Sequence, residues 1–179
     1  MKMKSWPAAF FLITPLLIAS PTFAQSPDAP LLTRACGSES VQFDANADAS
    51  QHPLAQPEAG KATIYVIGSF IGNSEAKSTV RVGVDGAWVS AIHGDSYTFF
   101  SVPPGDLHLC VNWQSGFLTP SGLFALAHLK AEAGKTYYFR VRTYNASNQT
   151  YSIDLDAQDG DEGQYLVASS TFSKSHPKK

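Results

Sequence analysis

Between Ser78 and Trp113 the chain runs through four short apolar-alternating segments separated by turn signals, a pattern that leaves little room for anything but β structure. Val80, Val82 and Val84 alternate with Arg81 and Gly83, and Asp85-Gly86 follows at once. Asp-Gly between two such runs predicts a tight hairpin, because a type I′ turn needs positive φ at both central positions. The return run is Ala87 to Ile92, after which His93-Gly94-Asp95-Ser96 turns the chain into Tyr97 to Val102. Pro103-Pro104-Gly105 cannot continue a ladder and marks the next corner. From Asp106 to Trp113, Leu107, Leu109, Val111 and Trp113 share one face, and His108, Cys110 and Asn112 the other. Strands this short and this closely spaced predict one small antiparallel sandwich or meander.

The flanking segments extend that reading. Ala62 to Phe70 is apolar on both faces, as expected of a central strand covered on both sides, with the arm before it or the C-terminal segment as the second cover. Leu123 to Glu132 has helix-favouring composition but alternates, and the next run begins just after Gly134-Lys135, as in a hairpin, so a strand is expected. Thr136 to Tyr144 is a clear strand, with Tyr137, Phe139, Val141 and Thr143 on one face and Tyr138, Arg140, Arg142 and Tyr144 on the other. Asn145 to Thr150 forms a polar loop; its two glycosylation-like sequons are read as no more than that. Tyr151, Ile153 and Leu155 give a last strand. Asp161 with Gln164 predicts a capping box for a short C-terminal helix that turns Tyr165, Leu166, Ser169 and Phe172 to one side, followed by a loose basic tail, 173–179.

The first 24 residues have the layout of an export signal: Lys2 and Lys4, an apolar run from Ala8 to Ala19, then small residues before an expected cleavage after Ala24. The apolar run is short for a membrane span. Residues 25–59, rich in Ala, Pro, Asp, Gln and Ser, are expected to form an extended arm, partly ordered near Cys36, in which only Val41-Gln42-Phe43 resembles a strand. The β domain is expected over 60–172. Export implies an oxidising compartment, periplasmic or extracellular, where the only two cysteines, Cys36 and Cys110, are the natural disulfide pair. The chain has 13 Lys and Arg against 15 Asp and Glu, and loss of Lys2 and Lys4 with the leader makes it more acidic still. That balance argues against nucleic acid or an anionic membrane as the main partner.

Gly60-Lys61-Ala62 opening a strand, Val82-Gly83-Val84-Asp85-Gly86 followed by Trp88, Ser96-Tyr97, Val102-Pro103-Pro104-Gly105, His108-Leu109-Cys110, Ala133 to Val141 and Asp161-Glu162-Gly163 resemble a family of bacterial exported domains of unknown function. That family is similar in turn to the small PEGA-like and Ig-like β-sandwich modules with a Pro-Gly turn after a strand. The resemblance spans roughly Gly60 to Phe172 and implies an all-β antiparallel sandwich in or outside the cell envelope, with no catalytic residue. The loop from Gln114 to Gly122 departs from the pattern.

Four groups of residues bear on chemistry. Gly94-Asp95-Ser96-Tyr97 is similar to the nucleophile block of a serine esterase family, but the only late histidine is His176, with Ser173 three positions before it, where those enzymes carry Asp-x-x-His. His93, Asp95 and His108 are residue types that suit zinc, without a known ligand spacing. Asp154, Asp156, Asp159, Asp161 and Glu162 offer oxygens for calcium, again without a known loop spacing, and acids also favour a helix N-terminus. Tyr138, Arg140, Arg142 and Tyr144 form an aromatic and basic stripe able to stack on sugars or pair with carboxylates. The expected function is therefore a non-catalytic, cofactor-free module that binds an envelope protein or glycan through this stripe. The alternative is a small metal-dependent or serine hydrolase using His93, Asp95, Ser96 and His108.

Overall fold

The computed structural model describes residues 34–70, 78–115, 122–145 and 151–179. The export signal, the first part of the arm, and most of the loops predicted at 114–122 and 145–150 lie outside them.

The described chain is mostly β: two sheets and one short helix. The smaller sheet contains β3 (Thr79–Val84), β4 (Ala87–His93), β6 (Gly105–Ser115) and β7 (Phe124–Ala131), all antiparallel in the order β4-β3-β6-β7. The larger contains β1 (Phe43–Asp48), β2 (Ala62–Phe70), β5 (Ser96–Val102), β8 (Thr136–Asn145), β9 (Tyr151–Gln158) and β10 (Thr171–Pro177), in the order β1-β10-β5-β2-β8-β9. A short helix, α1, spans Gly160–Ser169. The larger sheet is mixed and not the antiparallel sheet expected: β2 runs parallel to β8 and β10 to β5, because the chain crosses to the other sheet or through α1 between those partners. Asp85 and Gly86 both have positive φ, 45° and 82°, as the two-residue hairpin between β3 and β4 requires.

One apolar core joins the two sheets. Ile64 and Val66 of β2 and Phe139 and Val141 of β8 meet Val80, Val82, Leu107, Leu109, Val111 and Trp113 from the smaller sheet. These are the inward positions set by strand alternation. The far side of β2 is also covered. Tyr65 and Ile67 pack with Tyr97, Val167 and Leu166, so α1 roofs the larger sheet, and residues 53–55 add hydrogen bonds. The hydroxyl of Tyr97 donates to the Pro53 carbonyl and that of Tyr65 accepts from the Ala55 amide.

Several expectations are corrected. Of the two readings of the block from Ser78 to Trp113, the meander fails, because β5 crosses to the larger sheet and β6 returns to pair with β3, and the two-sheet arrangement is the one found. Gly134-Lys135 likewise carries the chain between sheets and is no hairpin, although β7 is the strand expected there. The tail is no loose end, because β10 pairs with β1 over six residue pairs, from Phe43↔Pro177 to Asp48↔Phe172. The ordered sheet thus reaches beyond 60–172 on both sides, and α1 is not C-terminal. Polar strands at or next to a sheet edge, as β1 and β10 are, lack the apolar alternation that makes inner strands legible.

The helix is also displaced from its expected register. Asp159, not Asp161, is the N-cap, its carboxylate accepting from the Glu162 amide at 2.9 Å. Its buried residues are Gly163 and Val167, whereas Tyr165 is 67% exposed.

Candidate binding face

Alternation along β8 places Tyr138, Arg140, Arg142 and Tyr144 on the side of the larger sheet that faces away from the shared core. All four are half-buried. Tyr138 lies deepest, stacked on Tyr65 at 5.3 Å between ring centres, and burial together with that neighbour pushes its phenol above the usual range. Arg140 sits between Ser69 on β2 and Glu162 on α1: Nη2 donates to Ser69 Oγ at 2.8 Å, and Nη1 stands 3.9 Å from Glu162 Oε1. Its Nε is buried and has no hydrogen-bond partner among the described residues. Arg142 is held by Asp156, with Nη2 2.5 Å and Nε 3.1 Å from Oδ2, and its guanidinium lies 5.5 Å from the centre of the Tyr144 ring. The hydrogen bond from Asp156 raises the Arg142 pKa, with smaller coulombic help from Asp156, Tyr144 and Asp154. The acids of β9 thus partly satisfy the stripe. Arg140 keeps an unanswered donor.

The acidic residues considered for calcium have structural partners or positions. Asp156 binds Arg142, Asp159 caps α1, and Asp161 and Glu162 occupy its first turn, where they complement the helix dipole. Asp154 faces Arg142 across the β8–β9 ladder. Among the described residues no group of three His, Cys, Asp or Glu side chains is placed to hold a metal ion.

His93, Asp95, Ser96 and His108 do not converge. His93 pairs with Thr79 at one end of β3, and its Nδ1 is 3.1 Å from Thr79 Oγ1. His108 lies beyond Val84 at the other end, roughly 20 Å away by strand rise. Asp95 accepts from the Phe70 amide at 2.7 Å, and Ser96, fully buried, accepts from the His93 amide at 3.2 Å. Both serve the turn between β4 and β5. Of the late pair, Ser173 donates to the Ala91 carbonyl and exposed His176 faces Asp44 at 3.9 Å.

The outer face of the smaller sheet carries a second polar centre that sequence reasoning missed. Cys36 and Cys110 form the expected disulfide, with Cα atoms 5.2 Å apart, inside the range such a bond demands. It lays the arm across β3, β4 and β6, where Ala35, Cys36 and Cys110 pack with Trp88 and Phe124. Arg81, only 6% exposed, is buried beneath the arm. Its Nη1 donates to the carbonyls of Glu39 and Val41, its Nε and Nη2 donate to Asn112 Oδ1, and its guanidinium lies 4.4 Å from the centre of the Trp88 ring. Gln114 continues the clamp through both its amide atoms to the backbone of Phe43. A groove of about 300 Å³ runs between Glu39 and Gln42 of the arm and Arg81, Gln114 and Phe124 of the sheet. Its polar side chains are largely committed to the arm, so this groove is an anchorage first. The alternation of Arg81 with valines signalled an outward arginine; only the arm's position buries it.

No family model matches the chain, and no curated protein matches it.

Proposed function

We propose that this protein is an exported, non-catalytic β-sandwich module of Ig-like or PEGA-like type that binds a protein or glycan of the cell envelope through the face of β8. The observation that carries the reading is Arg140: a half-buried guanidinium held by one hydrogen bond to Ser69 and a long ion pair to Glu162, with Arg142 and Tyr144 beside it. A guanidinium paired this weakly keeps N–H donors on its exposed side for an incoming carboxylate or sugar hydroxyl. The exported character rests on the amino-terminal sequence pattern and accords with the Cys36–Cys110 disulfide. Among the described residues no helix is long and apolar enough to cross a membrane.

The test is retention of the purified mature protein on arrays of acidic glycans and carboxylate-rich peptides, compared with an Arg140→Ala/Arg142→Ala variant. The variant should lose at least about tenfold in affinity, the weight of one charge-assisted hydrogen bond. Its melting temperature should stay nearly unchanged, since half-exposed ion pairs contribute little to stability. Equal retention by both proteins, or a variant that fails to fold, would overturn the proposal.

A further inference from the structure

On the outer face of the smaller sheet, away from the β8 stripe, two histidines stand directly opposite each other. His108 on β6 and His128 on β7 are register partners, so alternation sends both side chains to the same side. Their ring centres are 5.5 Å apart. Each ring leans on its own carboxylate: His108 Nδ1 is 3.5 Å from Asp85 Oδ1, and His128 Nε2 is 3.5 Å from Asp106 Oδ1. Asp85 is itself fixed by the hairpin turn and by accepting from the His108 amide at 2.8 Å. The remaining ring nitrogens, His108 Nε2 and His128 Nδ1, have no partner among the described residues. Beside the two rings lies a recess of about 260 Å³ lined also by Ala35, Leu126 and Ala127.

From this geometry we propose that His108 and His128 form an open, two-imidazole site for a borderline transition-metal cation of the Cu²⁺ or Zn²⁺ class. A metal-bound imidazole characteristically gives its second nitrogen to a carboxylate, which fixes the ring and raises its basicity as a ligand. Each ring here has a carboxylate 3.5 Å from one nitrogen, longer than a formed hydrogen bond but placed to become one, and the other nitrogens are the ones left for the metal. The ring separation is that of two imidazoles able to share one ion at metal–nitrogen bonds of about 2 Å. Imidazole selects Zn, Cu and Ni over the hard cations Mg and Ca. Among the described residues no third His, Cys, Asp or Glu donor joins the pair, so the other coordination positions belong to water or to a donor from an incoming ligand. The site shares only His108 with the cluster expected from the sequence. Its partner histidine lies across a strand pair that sequence spacing does not reveal.

The test uses the metal-stripped mature protein titrated with CuSO4 or ZnCl2 by calorimetry, with electron paramagnetic resonance of the copper form. One equivalent should bind, with a spectrum showing equatorial nitrogen ligation. His108→Ala and His128→Ala should each weaken binding by at least about tenfold, and Asp85→Asn and Asp106→Asn by a smaller factor with the stoichiometry kept. His93→Ala and His176→Ala should leave it unchanged, and all variants should melt near the wild-type temperature without metal. Absence of saturable binding to the wild type would overturn the proposal. So would undiminished one-equivalent binding by the His108→Ala/His128→Ala double variant, which would place the metal elsewhere.

Discussion

A Cβ added to Gly163 would stand 2.1 Å from Cγ of Tyr138, so α1 reaches the sheet at its present height only because this residue has no side chain. The close approach lets Val167 bury beside Tyr65, Ile67 and Tyr97 and lets Tyr138 stack on Tyr65. Gly163→Ala should therefore destabilise the fold by about 1–3 kcal/mol, the usual penalty of overpacking, despite alanine's better helix propensity. Urea denaturation checks this; an unchanged or raised midpoint would mean the helix has room to lift. Apolar counting along the helix selected Tyr165 and Leu166 and missed the glycine, because a contact made by absence of a side chain leaves no hydrophobic signal. Arg81 was hidden for the opposite reason. Its position on an outward face was legible, but the arm that covers that face comes from 40 residues earlier.

The terminal strands show where reading by element succeeds and fails. β2, β3 and β6 carry strong apolar patterns and lie where those patterns put them, whereas β1, at the sheet edge, and β10, beside it, are polar strands paired mainly with each other. Alternation also says which face is buried without saying which sheet a strand joins, so β5 and β8 left their expected partners at short turns. β10 then ties the two sheets together. Ser173 donates to the Ala91 carbonyl and Ser175 accepts from the Ala91 amide, satisfying the outer edge of β4. At the far end of the β1–β10 ladder, hydrogen bonds from Lys174 and Ser50 hold the Asp48 carboxyl well below its usual range, at about 2. A depressed carboxyl stabilises the fold above its unfolded value of 3.8, and that contribution is lost as pH falls through about 2. Asp48→Asn should accordingly flatten the acid limb of stability between about pH 4 and 2, read by thermal melts in that window. An acid limb as steep as wild type would remove Asp48 from this role.

At the scale of the whole molecule, two sheets share one core, a helix roofs one outer face, and the arm covers part of the other. The β-rich class was legible in the period-two pattern, and the disulfide followed from two cysteines in a chain with an export-like leader. The binding stripe was legible as a strand face, but its partial neutralisation by Asp156 and Glu162 depends on β9 and α1 folding back beside β8. The His108–His128 pair was not legible, since strand register and not sequence spacing sets it. The Cys36–Cys110 bond spans 74 positions and fastens the arm over Arg81 and Trp88. Closing a loop of that length in the unfolded chain is worth about 4 kcal/mol by the chain-entropy argument, so reduction should lower the unfolding free energy by that order. The most direct measurement is thiol titration of the mature protein, denatured without reductant. The fold described here predicts no titratable thiol; two would contradict it and release the arm from the sheet.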